Sequence, residues 1–252
     1  MPNPERIAYY SENAAQLAAQ YDGLDRAKVH QSILHLFESK EPLRILDIGS
    51  GSGADAKWLA ERYGHRVTAV EPSDLFEHAR TANAHTGVAY VRDRLPSLSK
   101  LKGQEGAFDL VLGIAVLQEL DAADRRKSLD RIVSLAKPGG KIALMYPSPP
   151  SRAGQHQIPG EEIDKALFDI AHDPKAAHSG HLSLSKSSPD TKGRLAANGE
   201  PLRFEERIIT VSAKGPGPTG AGLGRAVERA WEGTSPSKPG LAPAQDAPGR
   251  ER

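Results

Sequence analysis

Ile45-Leu46-Asp47-Ile48-Gly49-Ser50-Gly51-Ser52-Gly53 is an apolar run that holds one acidic residue and passes into three glycines at alternate positions. Such a run reads as a strand whose carboxyl end turns sharply, because glycine lets the backbone turn and lets a ligand approach it closely. The next residues, Ala54 to Tyr63, have helical character, so the loop aims a helix N-terminus at whatever it holds. Asp47 adds a fixed negative charge that a pure phosphate cradle does not want and that suits a ligand with a cationic group. The stretch reads as the mouth of a nucleotide or nucleoside pocket.

Working outward, short apolar runs at 43–48, 67–70, 88–91, 108–112 and 141–146 alternate with amphipathic segments near 54–63, 74–83 and 122–136. Strand and helix alternation of this kind predicts right-handed crossovers and a mostly parallel sheet covered on both faces, a three-layer α/β sandwich. Ligands bind such sheets beyond the carboxyl ends of the strands. Asp47, Glu71, Asp93 and Gly113 all fall at or just after such ends.

Before this region, Ile7, Tyr10, Ala14, Leu17 and Tyr21 recur three and four residues apart, as one face of a helix requires. A second helix is expected from Asp25 as its cap, burying Val29, Ile33, Leu36 and Phe37 before the break at Glu41-Pro42. After it, residues 147–154 form a Pro- and Ser-rich loop of the kind that borders active sites. A helix near 159–170 and strands at 181–185 and 202–211 follow. From about Lys214 the chain turns rich in Gly, Pro, Ala and Ser, which predicts a largely disordered tail, interrupted by a short helix near Leu223 to Trp231. The resulting organisation is a helical cap (1–42), an α/β domain (43–213) and a tail (214–252).

The 252 residues carry 33 basic and 32 acidic side chains, so the chain as a whole offers no electrostatic footprint for nucleic acid or an anionic membrane. Cysteine is absent, which excludes disulfides, thiolate metal sites and cysteine nucleophiles. No apolar run reaches the roughly 18 residues that span a bilayer, and the polar start is no signal peptide, so a cytoplasmic location is the expectation. His172, His178 and His181 with Asp173 fit no regular ligand spacing, and no metal is expected.

The glycine loop, ending in Ala54, also satisfies the dinucleotide fingerprint, so the glycines alone leave a nicotinamide-dependent oxidoreductase open. Two carboxylates favour another nucleoside. Glu71, in Val70-Glu71-Pro72-Ser73, ends the second strand where a ribose-binding acid belongs, and Asp93, in Val91-Arg92-Asp93-Arg94-Leu95-Pro96, ends the third. With Phe108-Asp109-Leu110-Val111-Leu112 and Leu135-Ala136-Lys137-Pro138-Gly139-Gly140 following in order, the chain from about Ile7 to Pro150 resembles the class I S-adenosylmethionine-dependent methyltransferases of Rossmann-like fold.

That resemblance implies S-adenosyl-L-methionine as cofactor. It implies that Asp47 and the backbone of Gly49, Ser50, Gly51 and Gly53 hold the methionine part, that Glu71 with Pro72 holds the ribose, and that Asp93 with Arg94 holds the adenine. Gly113 and Ala115 would wall the site, and the first helix would close over it as a lid. Tyr9, Tyr10, Gln118 and His156 are the candidate substrate-facing residues, with His156, Glu119 and Tyr10 as candidate bases. Many relatives place a histidine after the fourth strand where this chain has Gln118, and an amide cannot take a proton at neutral pH. The expected activity is methyl transfer to a small molecule, with no nucleic acid or membrane partner; a catalytically silent cofactor-binding module is the alternative.

Overall fold

The computed structural model describes residues 4–173, 182–186 and 203–212. The expected tail, the short helix within it, and His178 and His181 lie outside the described residues. Strands β1 (Arg44–Ile48), β2 (Arg66–Val70), β3 (Val88–Val91), β4 (Phe108–Ile114), β5 (Ala136–Ser148), β6 (Leu182–Lys186) and β7 (Arg203–Val211) form one seven-stranded sheet in the order β3-β2-β1-β4-β5-β7-β6. The pairs among β1 to β5 are parallel, and β7 runs antiparallel to both β5 and β6. β1 is buried along all but its first residue, as expected of a central parallel strand covered on both faces.

The helices are α1 (Pro4–Glu12), α2 (Ala14–Asp22), α3 (Arg26–Val29), α4 (Ala54–Tyr63), α5 (Leu75–Thr81), α6 (Ala122–Leu135) and α7 (Glu162–His172). Ile33, Leu36 and Phe37 pack with Ala56 and Leu59 of α4 against one face of the sheet. Leu129, Ile132 and Val133 of α6 pack with Ile163, Leu167 and Ile170 of α7 against the other. This gives the expected three-layer Rossmann-like sandwich.

Several boundaries differ from the sequence reading. The first helix is broken into α1 and α2 at Asn13, which leaves helical geometry at φ −104° and ψ 16°. The segment after Asp25 holds one α-turn, capped by the Asp25 side chain on the Lys28 N–H, and then tightens into a 3₁₀ helix at Gln31–Leu36. It still buries Ile33, Leu36 and Phe37, while Val29 is only half-buried. β5 starts five residues before Lys141, because Ala136 pairs with Phe108 across a register shift in β4. α7 begins at Glu162, beyond Pro159, and buries Ile163, Ala166, Leu167 and Ile170.

One buried and one half-buried ion pair fasten α7. Arg207 of β7 meets Asp164 at 2.6 Å. Arg125 of α6 grips both oxygens of Glu162, at 2.6 and 3.0 Å. Arg207 also donates to the Gly160 carbonyl at 3.2 Å, which anchors the C-terminal end of the loop joining β5 to α7. That loop forms part of the cavity described next.

Candidate active site

A cavity of about 610 Å³ opens where β1, β2 and β4 end, at Ile48, Val70 and Ile114. Its size falls within the ~300–1,000 Å³ typical of small-molecule sites. One flank is made by Gly49 to Ser52, Glu71, Pro72, Asp93 and Arg94; the other by Arg6 and Tyr10 of α1, Gln118 and Glu119 after β4, and Ser151, Arg152 and Gln155 after β5. Tyr21 of α2 lies over the glycine loop, so near that a Cβ on Gly51 would stand 3.3 Å from its ring.

The glycine loop is tied in place from several sides. Gly49 and Ser50 donate to the Val70 carbonyl at 2.8 and 3.0 Å. Asn83 donates to the Ser52 carbonyl at 2.9 Å and to Asp22 at 3.1 Å, which links the loop to α2. Glu71 accepts the Gly51 N–H at 3.0 Å on one oxygen and the Ser73 N–H at 2.9 Å on the other. Burial pushes its carboxyl upward, against the pull of those hydrogen bonds. Asp93 accepts the N–H of Arg94 at 2.8 Å and of Lys100 at 2.7 Å, which fixes its carboxylate at the cavity wall.

Four of the expected wall residues stand elsewhere, each for a packing reason. Gly53 caps α4 at φ +78°, and a Cβ there would meet the Ala79 Cβ at 2.8 Å and the Tyr90 ring at 3.1 Å, so its bare face serves α5 and β3. Gly113 is buried within β4, where a Cβ would meet Leu144 at 2.9 Å. Tyr9 does not line the cavity and is 36% exposed, its ring edge against Tyr10. His156 is half-buried and fixed by its backbone N–H on the Gln118 carbonyl at 2.8 Å, but Gln155 takes the place on the wall.

Asp47 lies just behind the wall, since alternation along β1 turns Ile48 toward the cavity. It is 5% exposed, and its Oδ2 has no hydrogen-bond partner among the described residues. Burial, then the negative fields of Asp55 and Glu71, push its carboxyl up to about 8, with Arg26 opposing. Asp55, in the first turn of α4, behaves oppositely. Burial works to raise it, but His30 at 3.1 Å and Arg26 at 3.1 Å hold it below the usual range. This flank therefore gathers more carboxylate than its own cations neutralise.

The far flank centres on Glu119. One oxygen accepts from Tyr10 at 2.8 Å and Gln155 at 2.7 Å, and the other from Arg6 at 2.7 Å. Arg6 also donates to the Ala153 carbonyl at 3.1 Å, so α1 is joined to both loops. Burial, then the Glu119 charge, hold the Tyr10 phenol far above its ordinary value. Arg152 donates to the Tyr21 hydroxyl at 3.0 Å. Sequence reasoning missed Arg6, Arg26, Asp55, Arg152 and Gln155. Asp55 alone had a readable signal, an acid in the first turn of a helix beside the loop.

The strand order, the single antiparallel strand β7 and a ligand cavity at the carboxyl ends define a Rossmann-like methyltransferase fold. Residues 45–140 match the family model of a methyltransferase domain, and the chain is similar to class I S-adenosylmethionine-dependent methyltransferases. The chain is 34% identical over 140 residues to a ubiquinone biosynthesis O-methyltransferase from Methylocella silvestris, covering 55% of this chain and 50% of the relative. It is 33% identical over 109 residues to a tRNA 5-carboxymethoxyuridine methyltransferase from Escherichia coli, covering 42% and 41%. The chain thus spans about half the length of the curated relatives it matches. Among solved structures, 1,6-didemethyltoxoflavin-N1-methyltransferase from Burkholderia thailandensis, with bound 1,6-didemethyltoxoflavin and S-adenosylhomocysteine, aligns with a TM-score of 0.59 at 19% identity, covering 84% of this chain and 91% of that one. That likeness is one of fold.

Proposed function

We propose that this chain transfers a methyl group from S-adenosyl-L-methionine to a small-molecule acceptor. The observation that carries the reading is the joining, on one flank of one cavity, of the Gly49 to Ser52 loop with the carboxylates of Glu71 and Asp93. The residues suit the cofactor. The orphaned Asp47 oxygen, in a buried acidic setting, lacks the positive charge that a sulfonium or ammonium group brings. A dinucleotide would instead bring two phosphates into a pocket of carboxylates, which is why the oxidoreductase reading is set aside.

When bound, the cofactor supplies a methyl carbon on a sulfonium, an electrophile with an excellent leaving group. The chain then has to align the two reactants and exclude water, which for well-oriented reactants reaches effective molarities of about 10⁵–10⁸ M. Glu71 is assigned to the ribose hydroxyls, Asp93 to the adenine amine, and Asp47 and the Gly49 to Gly51 backbone to the methionine end. Ala115 and Val116 after β4, with Tyr10 of α1 and Tyr21 of α2, would enclose the cofactor. The domain reading is retained as part of the proposal: helical cap over 1–42, catalytic domain over 43–213, tail over 214–252.

Incubation with cofactor labelled in its methyl group and a small-molecule fraction of a cell extract tests the activity. Label appearing in low-mass products is the expected result. Cofactor binding with no transfer would favour the silent module, and transfer to tRNA alone would overturn the small-molecule acceptor.

A further inference from the structure

Resting on the methyl-transfer reading, we propose that the acceptor is a carboxylic acid, methylated on oxygen to its ester, and that Arg152 is the residue that binds its carboxylate. Three half-buried or buried arginines line the cavity. Arg6 is paired with Glu119 and Arg26 with Asp55. Arg152 has no carboxylate partner among the described residues; its guanidinium makes one hydrogen bond there, from Nη1 to the neutral Tyr21 hydroxyl at 3.0 Å. Its Nε–Nη2 edge, the fork that grips a carboxylate with two parallel bonds, is unengaged among the described residues. Arg6 and Arg152 against Glu119 leave this flank with an excess positive charge, in a partly desolvated setting that favours an anion.

Strand order places this edge on the acceptor side. Glu71 and Asp93 follow β2 and β3, on one side of β1, whereas Arg152 follows β5, on the other. The loop bearing Arg152 also supplies Gln155 to the Glu119 cluster, so the guanidinium sits within a fixed wall: Gln155 Oε1 accepts the Arg152 backbone N–H at 3.0 Å.

The proton inventory of the wall points the same way. A neutral alcohol or a protonated amine must lose a proton to become a nucleophile or a stable product. Tyr10 has its proton committed to Glu119, and both Glu119 oxygens are taken up by Arg6, Tyr10 and Gln155. His156 stands off the wall. A carboxylate needs no base. One of its oxygens attacks the methyl carbon, the carbon–sulfur bond breaks, the electron pair stays on sulfur as the thioether, and no proton moves. The cation and the anion cancel to two neutral products.

The test uses the full chain, cofactor labelled with tritium in its methyl group, and a panel of aliphatic and aromatic carboxylic acids with their primary amides as controls. Methyl esters release volatile labelled methanol in base, whereas methyl amines, ethers and carbon-bound methyl groups do not. The expected result is base-labile label from acids and none from amides. In Arg152→Ala the KM for the acid should rise about ten- to a hundredfold while S-adenosylhomocysteine affinity stays within about twofold, and Arg152→Lys should restore only part of the loss. A base-stable product overturns the ester, as does an amide methylated as well as its acid. Equal loss of S-adenosylhomocysteine affinity in Arg152→Ala overturns the assignment by giving the guanidinium to the cofactor's own carboxylate. Failure to methylate any acid while S-adenosylhomocysteine still binds overturns the acid class and leaves methyl transfer standing; absence of that binding fails the methyl-transfer reading itself.

Discussion

Replacing Asp47 with asparagine should stabilise the ligand-free protein while weakening its hold on the cofactor. In the fold the Asp47 carboxyl is raised from 3.8 to about 8, first by burial and then by Asp55 and Glu71, with Arg26 as the opposing cation. A carboxyl whose folded pKa lies above its unfolded value costs nothing below the unfolded value. The cost then grows as pH rises, because only the unfolded chain releases the proton, and it levels off above the folded value. At roughly 1.4 kcal/mol per unit the cost is about 2 kcal/mol at pH 5 and on the order of 4 kcal/mol at pH 7. Asparagine removes it. For a domain of this size the change at pH 7 corresponds to roughly 8–16 °C in Tm, less whatever the buried amide itself costs. Thermal denaturation of both proteins from pH 5 to pH 8 is the assay, and the gap should widen with pH. A parallel S-adenosylhomocysteine titration should show the variant at least about tenfold weaker, because a buried charge partner to the ligand's ammonium is gone. A stability gap between the two proteins that is no wider at pH 8 than at pH 5, or an unchanged affinity in the variant, would count against this role for Asp47.

Glu71→Gln should weaken S-adenosylhomocysteine by roughly 10- to 150-fold in calorimetry, since an amide cannot accept on both ends and Gly51 and Ser73 already use one lone pair on each. Gly53→Ala should lower stability by about 1–3 kcal/mol in denaturant titration, through its positive φ and its 2.8 Å approach to Ala79, with the folded fraction binding the cofactor normally. Arg207→Ala should cost about 3–5 kcal/mol by the same method, because it removes the buried guanidinium that meets the Asp164 carboxylate at 2.6 Å.

The parallel sheet was readable because its strands are near-continuous apolar runs, and because the loops that follow them carry the glycines and acids that such strand ends hold. Ser50, Gly51, Glu71 and Asp93 accordingly meet at one wall. Position along the chain cannot say which way a residue faces once the layers close. Gly53 and Gly113 are spaced like ligand contacts, yet Ala79 and Leu144 claim the room beside them. The flank around Glu119 was the least legible part. Glu119 gathers Tyr10 from 109 positions away and Arg6 from 113, and neither pairing leaves any local periodicity. The helix break at Asn13 is likewise invisible in an apolar spacing that runs through it unchanged.

In the proposed complex the cavity holds S-adenosylmethionine with its adenosine toward β2 and β3 and its methyl group toward β4. A crystal structure of the chain with S-adenosylhomocysteine tests it most directly. The ribose hydroxyls are expected on the Glu71 carboxylate, the adenine amine at Asp93 and the sulfur beside Ala115. A ligand seated elsewhere, or one turned so that its adenine meets Arg152, would contradict it.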